Sequence, residues 1–239
     1  MTGLPPDWLA RKKHDLAVGD LDELLGVAEE VARRLGSPTG GEFSRWLRES
    51  VGSLRASNRQ VLEALRDMGC PIATTNYDGT IEEVAGLKAV TWLDGASVER
   101  VLRRDDRGVI HLHGHWETPN SVVLGVRDYE RALGDEHAQT MLKAVRTTRT
   151  LLFVGFGEGL SDPNFGAFLR WTRKVFPGSE YRHFRLALER DVQQLQSQHP
   201  PEERIFVIPY GSKHDDLAPF LTSLRPTGPT APVTSSAPP

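Results

Sequence analysis

A single cysteine stands among 239 residues. Cys70 can neither close an intramolecular disulfide nor supply a four-cysteine zinc site, which fits a reducing compartment and excludes that metal architecture. Long apolar runs are missing as well: no stretch approaches the roughly 18 residues that would mark a membrane span. The opening Met-Thr-Gly-Leu-Pro-Pro lacks the basic and apolar regions of a secretion signal. A soluble cytoplasmic protein is the expectation. No excess of either charge stands out, since 29 lysines and arginines face 32 aspartates and glutamates for a formal net charge of −3. Such a chain has no overall field to draw in nucleic acid or an anionic membrane, and direct binding of either is not expected.

What is present suffices for one substantial core, at 38% hydrophobic residues. One domain is expected over 1–225, with a helical part at 1–69 and an α/β part at 70–225. The Pro-, Thr-, Ser- and Ala-rich stretch 226–239 holds no large apolar residue except Val233 and is read as a disordered tail. Helix spacing of apolar residues runs from Asp20 to Leu35, from Phe43 to Val51 and from Ser57 to Met68. From Cys70 onward, short apolar runs recur between helical stretches. They predict strands at Cys70–Thr75, Lys88–Trp92, Val109–Leu112, Ser121–Leu124, Thr150–Gly155, Phe184–Leu188 and Arg204–Pro209. Two of the runs, Leu151 to Val154 and Ile205 to Ile208, are apolar without alternation, as parallel strands covered on both faces require. A layered α/β sheet is expected.

Ligands of open α/β sheets bind beyond the carboxyl ends of the strands, and three strand ends here are rich in polar residues or glycine. The first, Thr74-Thr75-Asn76-Tyr77-Asp78-Gly79-Thr80, precedes a helix that Asp78 or Thr80 could cap, with Glu83 completing a capping box. The second is Ile110-His111-Leu112-His113-Gly114-His115-Trp116. Strand alternation would put all three histidines on one face, although Gly114 interrupts the strand, so that His115 need not share the face of His113. A metal-dependent hydrolase built on them is the rival reading, but its further ligands are scattered. His111 and His115 read as core or surface residues. His113, beside a glycine at a strand end, suits general-base work because an imidazole titrates near neutrality. The third runs from Gly155 to Phe165, with Asp162 as an N-cap and Pro163 at the first helical position. Its Gly-x-Gly-x-Gly spacing and its carboxylates, Glu158 and Asp162, favour contact with ribose hydroxyls over a phosphate cradle.

Taken in order, these segments resemble the sirtuin, or silent information regulator, family of NAD-consuming proteins. Thr74 to Gly79 looks like that family's Thr-Gln-Asn-x-Asp-Gly segment, His113-Gly114 like its His-Gly pair, and Gly155 to Asn164 like its Gly-rich strand end in the Asp-Pro-Asn form of zinc-less bacterial relatives. The resemblance spans roughly Gly3 to Tyr210. It implies a Rossmann-like parallel sheet with helices on both faces and no zinc module. It implies that Asn76 holds the nicotinamide ribose or a water, that Asp78 meets the nicotinamide amide and that His113 deprotonates a ribose hydroxyl. Thr75, Gly114, Gly155, Gly157, Asp162 and Asn164 would complete the NAD pocket. The implied activity is hydrolysis of NAD to ADP-ribose and nicotinamide, without a metal, as in zinc-less relatives of anti-phage defence.

The family's opening Gly-Ala-Gly-x-Ser loop, which binds the pyrophosphate, has no counterpart here, so the chain reads as beginning just downstream of it. Three other functions therefore remain open: a sensor that binds NAD or ADP-ribose without turnover, an NAD-dependent protein deacylase, and the histidine metal hydrolase. A sensor or defence partner protein and an oligomeric state are compatible with the sequence, which fixes neither.

Overall fold

Apolar residues at helix spacing form α1 (Leu21–Arg34) and α2 (Gly41–Leu47), and α2 runs on into a wider π turn at Arg48–Gly52. The computed structural model describes residues 21–156 and 181–225. The helix α3 (Arg59–Asp67) begins where the Asn58 side chain accepts from the backbone N–H groups of Gln60 and Val61, at 3.1 and 3.4 Å. That cap satisfies donors which a helix start otherwise leaves without partners. Gly69, at φ +65°, turns the chain out of the helix toward the first strand.

Six strands follow among the described residues: β1 (Ile72–Thr74), β2 (Lys88–Thr91), β3 (Gly108–His111), β4 (Leu152–Phe153), β5 (His183–Leu188) and β6 (Ile205–Gly211). All their pairings are parallel, and they make two three-stranded sheets ordered β1-β3-β2 and β4-β5-β6. The intervening helices are α4 (Thr80–Ala85), α5 (Gly95–Arg103), α6 (Val126–Gly134), α7 (Glu136–Thr148), α8 (Val192–Ser197) and α9 (Leu217–Ser223). This is the mixed α/β architecture of parallel strands flanked by helices that the sequence predicts.

Side-chain packing joins the two sheets. Val98 and Val101 of α5 close over Val90 and Ile110, and Leu112, just past β3, packs against this cluster. Leu112 also packs against the Phe153 and Ile205 core of the second sheet. Against that second sheet, Val61, Ala64 and Leu65 of α3, with Met68 just past its end, cluster with Leu152, Leu186 and Ile208 and with Leu221 of α9. Burying an aliphatic side chain of this size stabilises the fold by about 1.5–3 kcal/mol, so the clusters fix where the strand ends lie.

One expected strand is absent. Ser121–Leu124 is instead a short 3-10 turn, Pro119–Ser121, followed by extended chain. Its backbone donors are already engaged locally: Ser121 donates to the Thr118 carbonyl, Val122 to Pro119 and Val123 to His113. The capping box from Thr80 to Glu83 does not form either, because Glu83 faces Arg55 and Arg59, at 3.6 and 3.9 Å.

Candidate active site

Register between β1 and β3 sets the geometry. Thr74 stands opposite His111 in the parallel pairing, and these are the last paired residues of both strands. Asn76 and His113 therefore each lie two residues beyond the same rung of one sheet, at the carboxyl ends of neighbouring strands.

The turn after β1 is held by its own short polar side chains. Thr74 Oγ1 accepts from the Asn76 N–H at 3.1 Å. Asp78 Oδ1 accepts from both the Thr80 N–H, at 3.0 Å, and the Thr80 hydroxyl, at 2.5 Å. The N-cap of α4 is Gly79, without a side-chain cap, so Asp78 instead closes a tight turn onto Thr80, which orients its carboxylate. Thr75 is half-buried beside it, and Asn76 is exposed.

The segment after β3 is tied to this turn at several points. Leu112 donates to the Thr74 carbonyl at 2.9 Å and Trp116 to the Tyr77 carbonyl at 3.0 Å. The Tyr77 hydroxyl donates to the Val123 carbonyl at 2.7 Å. Ser121, fully buried, accepts from the His115 N–H at 3.1 Å and donates to the Thr118 carbonyl at 2.6 Å. Gly114 is required at its position. Its φ is +87°, and a Cβ there would fall 2.2 Å from the Ser121 carbonyl oxygen.

The three histidines are all buried but do not share one face. β3 ends at His111 and the chain turns at once, the Gly114 N–H donating to the His111 carbonyl at 3.3 Å, so strand alternation stops before it reaches His113 and His115. The ring of His113 packs edge-on against Tyr129 of α6, with centroids 5.6 Å apart. His115 instead lies edge-on to His111, at 4.7 Å. Burial holds the His115 imidazole below its ordinary value of 6.5, and the neighbouring His111 pushes it the same way. Among the described residues, no group of three or more histidine, cysteine or carboxylate side chains is placed to hold a metal.

His111 carries a contact that the sequence did not disclose. Its Nδ1 lies 2.9 Å from the Asn76 carbonyl oxygen and its Nε2 lies 2.7 Å from Glu82 Oε1. Glu82 sits on α4, one turn beyond Asp78, and nothing in the sequence pairs it with a histidine 29 residues away.

Gly155 follows β4 with φ +66°, in the second sheet. The other predicted contacts, Gly157, Asp162 and Asn164, lie outside the described residues, as does the tail at 226–239. No helix among the described residues is long and apolar enough to cross a membrane. A model of the family described as "SIR2-like domain" matches residues 71–207, the span that contains all three strand ends.

Proposed function

Because the chain belongs to the SIR2-like domain family, whose members use NAD, we propose that it hydrolyses NAD to ADP-ribose and nicotinamide. The observation that carries the proposal is the shared register of Asn76 and His113, an exposed amide and a buried imidazole presented from adjacent parallel strands at the sheet edge where α/β ligands bind.

In this reaction the bond between the ribose C1′ and the nicotinamide nitrogen breaks, and its electron pair leaves with the neutral pyridine. A water oxygen forms the new bond to C1′ and releases one proton. The sugar passes through an oxocarbenium-like state, which fixed dipoles and a base at a ribose hydroxyl stabilise. His113 would take that hydroxyl proton. Asn76 would position the ribose or the attacking water, and Asp78 would meet the nicotinamide amide. Thr75, Gly114 and Gly155, with Gly157, Asp162 and Asn164, would line the remainder of the pocket.

Water is favoured as acceptor over an acyl-lysine because the sequence carries one cysteine, exposed in the structure, and so no four-cysteine module to shape a peptide cleft. A role in anti-phage defence, inside the cytoplasm and with a sensor protein as partner, is part of the same proposal.

Chromatography of nicotinamide and ADP-ribose after incubation with NAD tests the reading, with His113→Ala run in parallel. Release by the wild type and its loss in the variant are expected. NAD binding in calorimetry without any nicotinamide release would make the domain a sensor instead, and undiminished release by His113→Ala would overturn the assigned base.

A further inference from the structure

Hydrogen-bond accounting at His111 leads to a group outside the assigned site. A backbone carbonyl only accepts, so the 2.9 Å contact between His111 Nδ1 and the Asn76 carbonyl requires a proton on Nδ1. The 2.7 Å contact between Nε2 and Glu82 Oε1 needs a second proton, carried by either partner. The chain from Asn76 through His111 to Glu82 therefore holds two protons among three groups. The His111 side chain has no exposed surface and that of Glu82 is 11% exposed, so water does not compete for either contact.

Tautomer choice is the point of the arrangement. A neutral histidine without Glu82 is free to carry its proton on Nε2, and the Asn76 carbonyl then loses its donor. With Glu82 opposite Nε2, both nitrogens are committed and Nδ1–H stays aimed at Asn76. We infer that His111 and Glu82 are positioning residues of the NAD site, a clamp that fixes the Asn76 peptide from below while leaving its side chain free to meet substrate. The Asn76 N–H is held from the other side by Thr74 Oγ1, so both polar groups flanking this Cα are anchored. His115 does not disturb the clamp. Its Nδ1 accepts from the Glu117 N–H at 3.4 Å, which leaves its own proton on Nε2, and burial keeps the ring neutral. This inference rests on the assignment of Asn76 to the site under the proposed function.

Two variants of one residue separate the clamp from mere support. In Glu82→Gln the side-chain amide can still donate to His111 Nε2 and so keep the Nδ1–H tautomer, whereas Glu82→Met fills a similar volume and can hold neither. With histidine labelled in ¹⁵N, wild type and Glu82→Gln should show a slowly exchanging His111 Nδ1 proton, and Glu82→Met should lose it and shift the Asn76 carbonyl ¹³C resonance. The rate constant kcat for nicotinamide release should fall roughly 10- to 100-fold in Glu82→Met, as expected when a positioned group is loosened by a fraction of an ångström. KM should change little, and Glu82→Gln should restore kcat. Equal losses in both variants, or a retained Nδ1 proton with wild-type kcat in Glu82→Met, would overturn the clamp. If wild type releases no nicotinamide while the resonances behave as expected, the clamp stands and the hydrolase assignment fails. Unchanged resonances in Glu82→Met sink the clamp whatever the activity.

Discussion

Thr74 and His111 face each other as the last rung between β1 and β3, and from that rung the chain delivers Asn76 on one side and His113 on the other. The two residues are thus brought to one sheet edge by strand pairing rather than by sequence proximity.

Residues that serve one reaction coordinate are not additive when removed. His113→Ala is expected to lower nicotinamide release roughly 10²- to 10⁴-fold, the range for loss of a positioned base. Asn76→Ala should lower it as well, and the double variant should be little slower than the worse of the two. Steady-state rates of the three proteins against wild type decide this. A fully multiplicative loss would show that the two residues act in separate steps.

Gly114→Ala probes the turn that takes His113 out of the strand. A φ of +87° and a Cβ 2.2 Å from the Ser121 carbonyl oxygen leave no room without moving backbone. The expected cost is at least about 1–3 kcal/mol from the backbone conformation alone. Thermal denaturation should show this as a fall of roughly 2–4 °C per kcal/mol in a chain of this size.

Acid should weaken the fold through His115, whose imidazole is held below its ordinary value of 6.5, chiefly by burial. The unfolded chain takes up a proton near that value while the folded protein does not. Stability present above pH 6.5 is therefore lost as the pH falls through the lowered folded value. Urea midpoints measured downward from pH 7.5 should fall more steeply for wild type than for His115→Gln. Parallel curves for the two proteins would contradict the assignment.

Tyr77→Phe removes the 2.7 Å bond from the hydroxyl to the Val123 carbonyl, which spans 46 residues and ties the turn after β1 to the segment after β3. A net loss of about 0.5–1.5 kcal/mol is expected. Urea denaturation measures that loss directly. Nicotinamide release should fall further than the small change in folded fraction explains, because the bond ties together the two segments that carry Asn76 and His113.

The sequence by itself determined the class of fold, because unalternating apolar runs such as Ile205 to Ile208 demand cover on both faces and so announce parallel strands. It also marked a candidate site, because Asn76, Asp78, His113 and Gly114 lie just past predicted strands. Periodicity failed where other partners, near or distant in sequence, claimed the same groups. The Ser121–Leu124 run has strand-like residues, yet its backbone donors go to Thr118, Pro119 and His113. Alternation alone would put His111, His113 and His115 on one face, and Gly114 already marked an interruption; in the structure the strand ends at His111 and turns there. Only the tertiary structure disclosed the contacts of His111, because its two partners, the Asn76 carbonyl and Glu82, lie 35 and 29 residues away. A backbone carbonyl leaves no trace in sequence, and a glutamate in the first turn of a helix looks like any other. The pairing of Thr74 with His111 supplies both contacts, since it is the register that carries the end of β3 beneath the turn after β1.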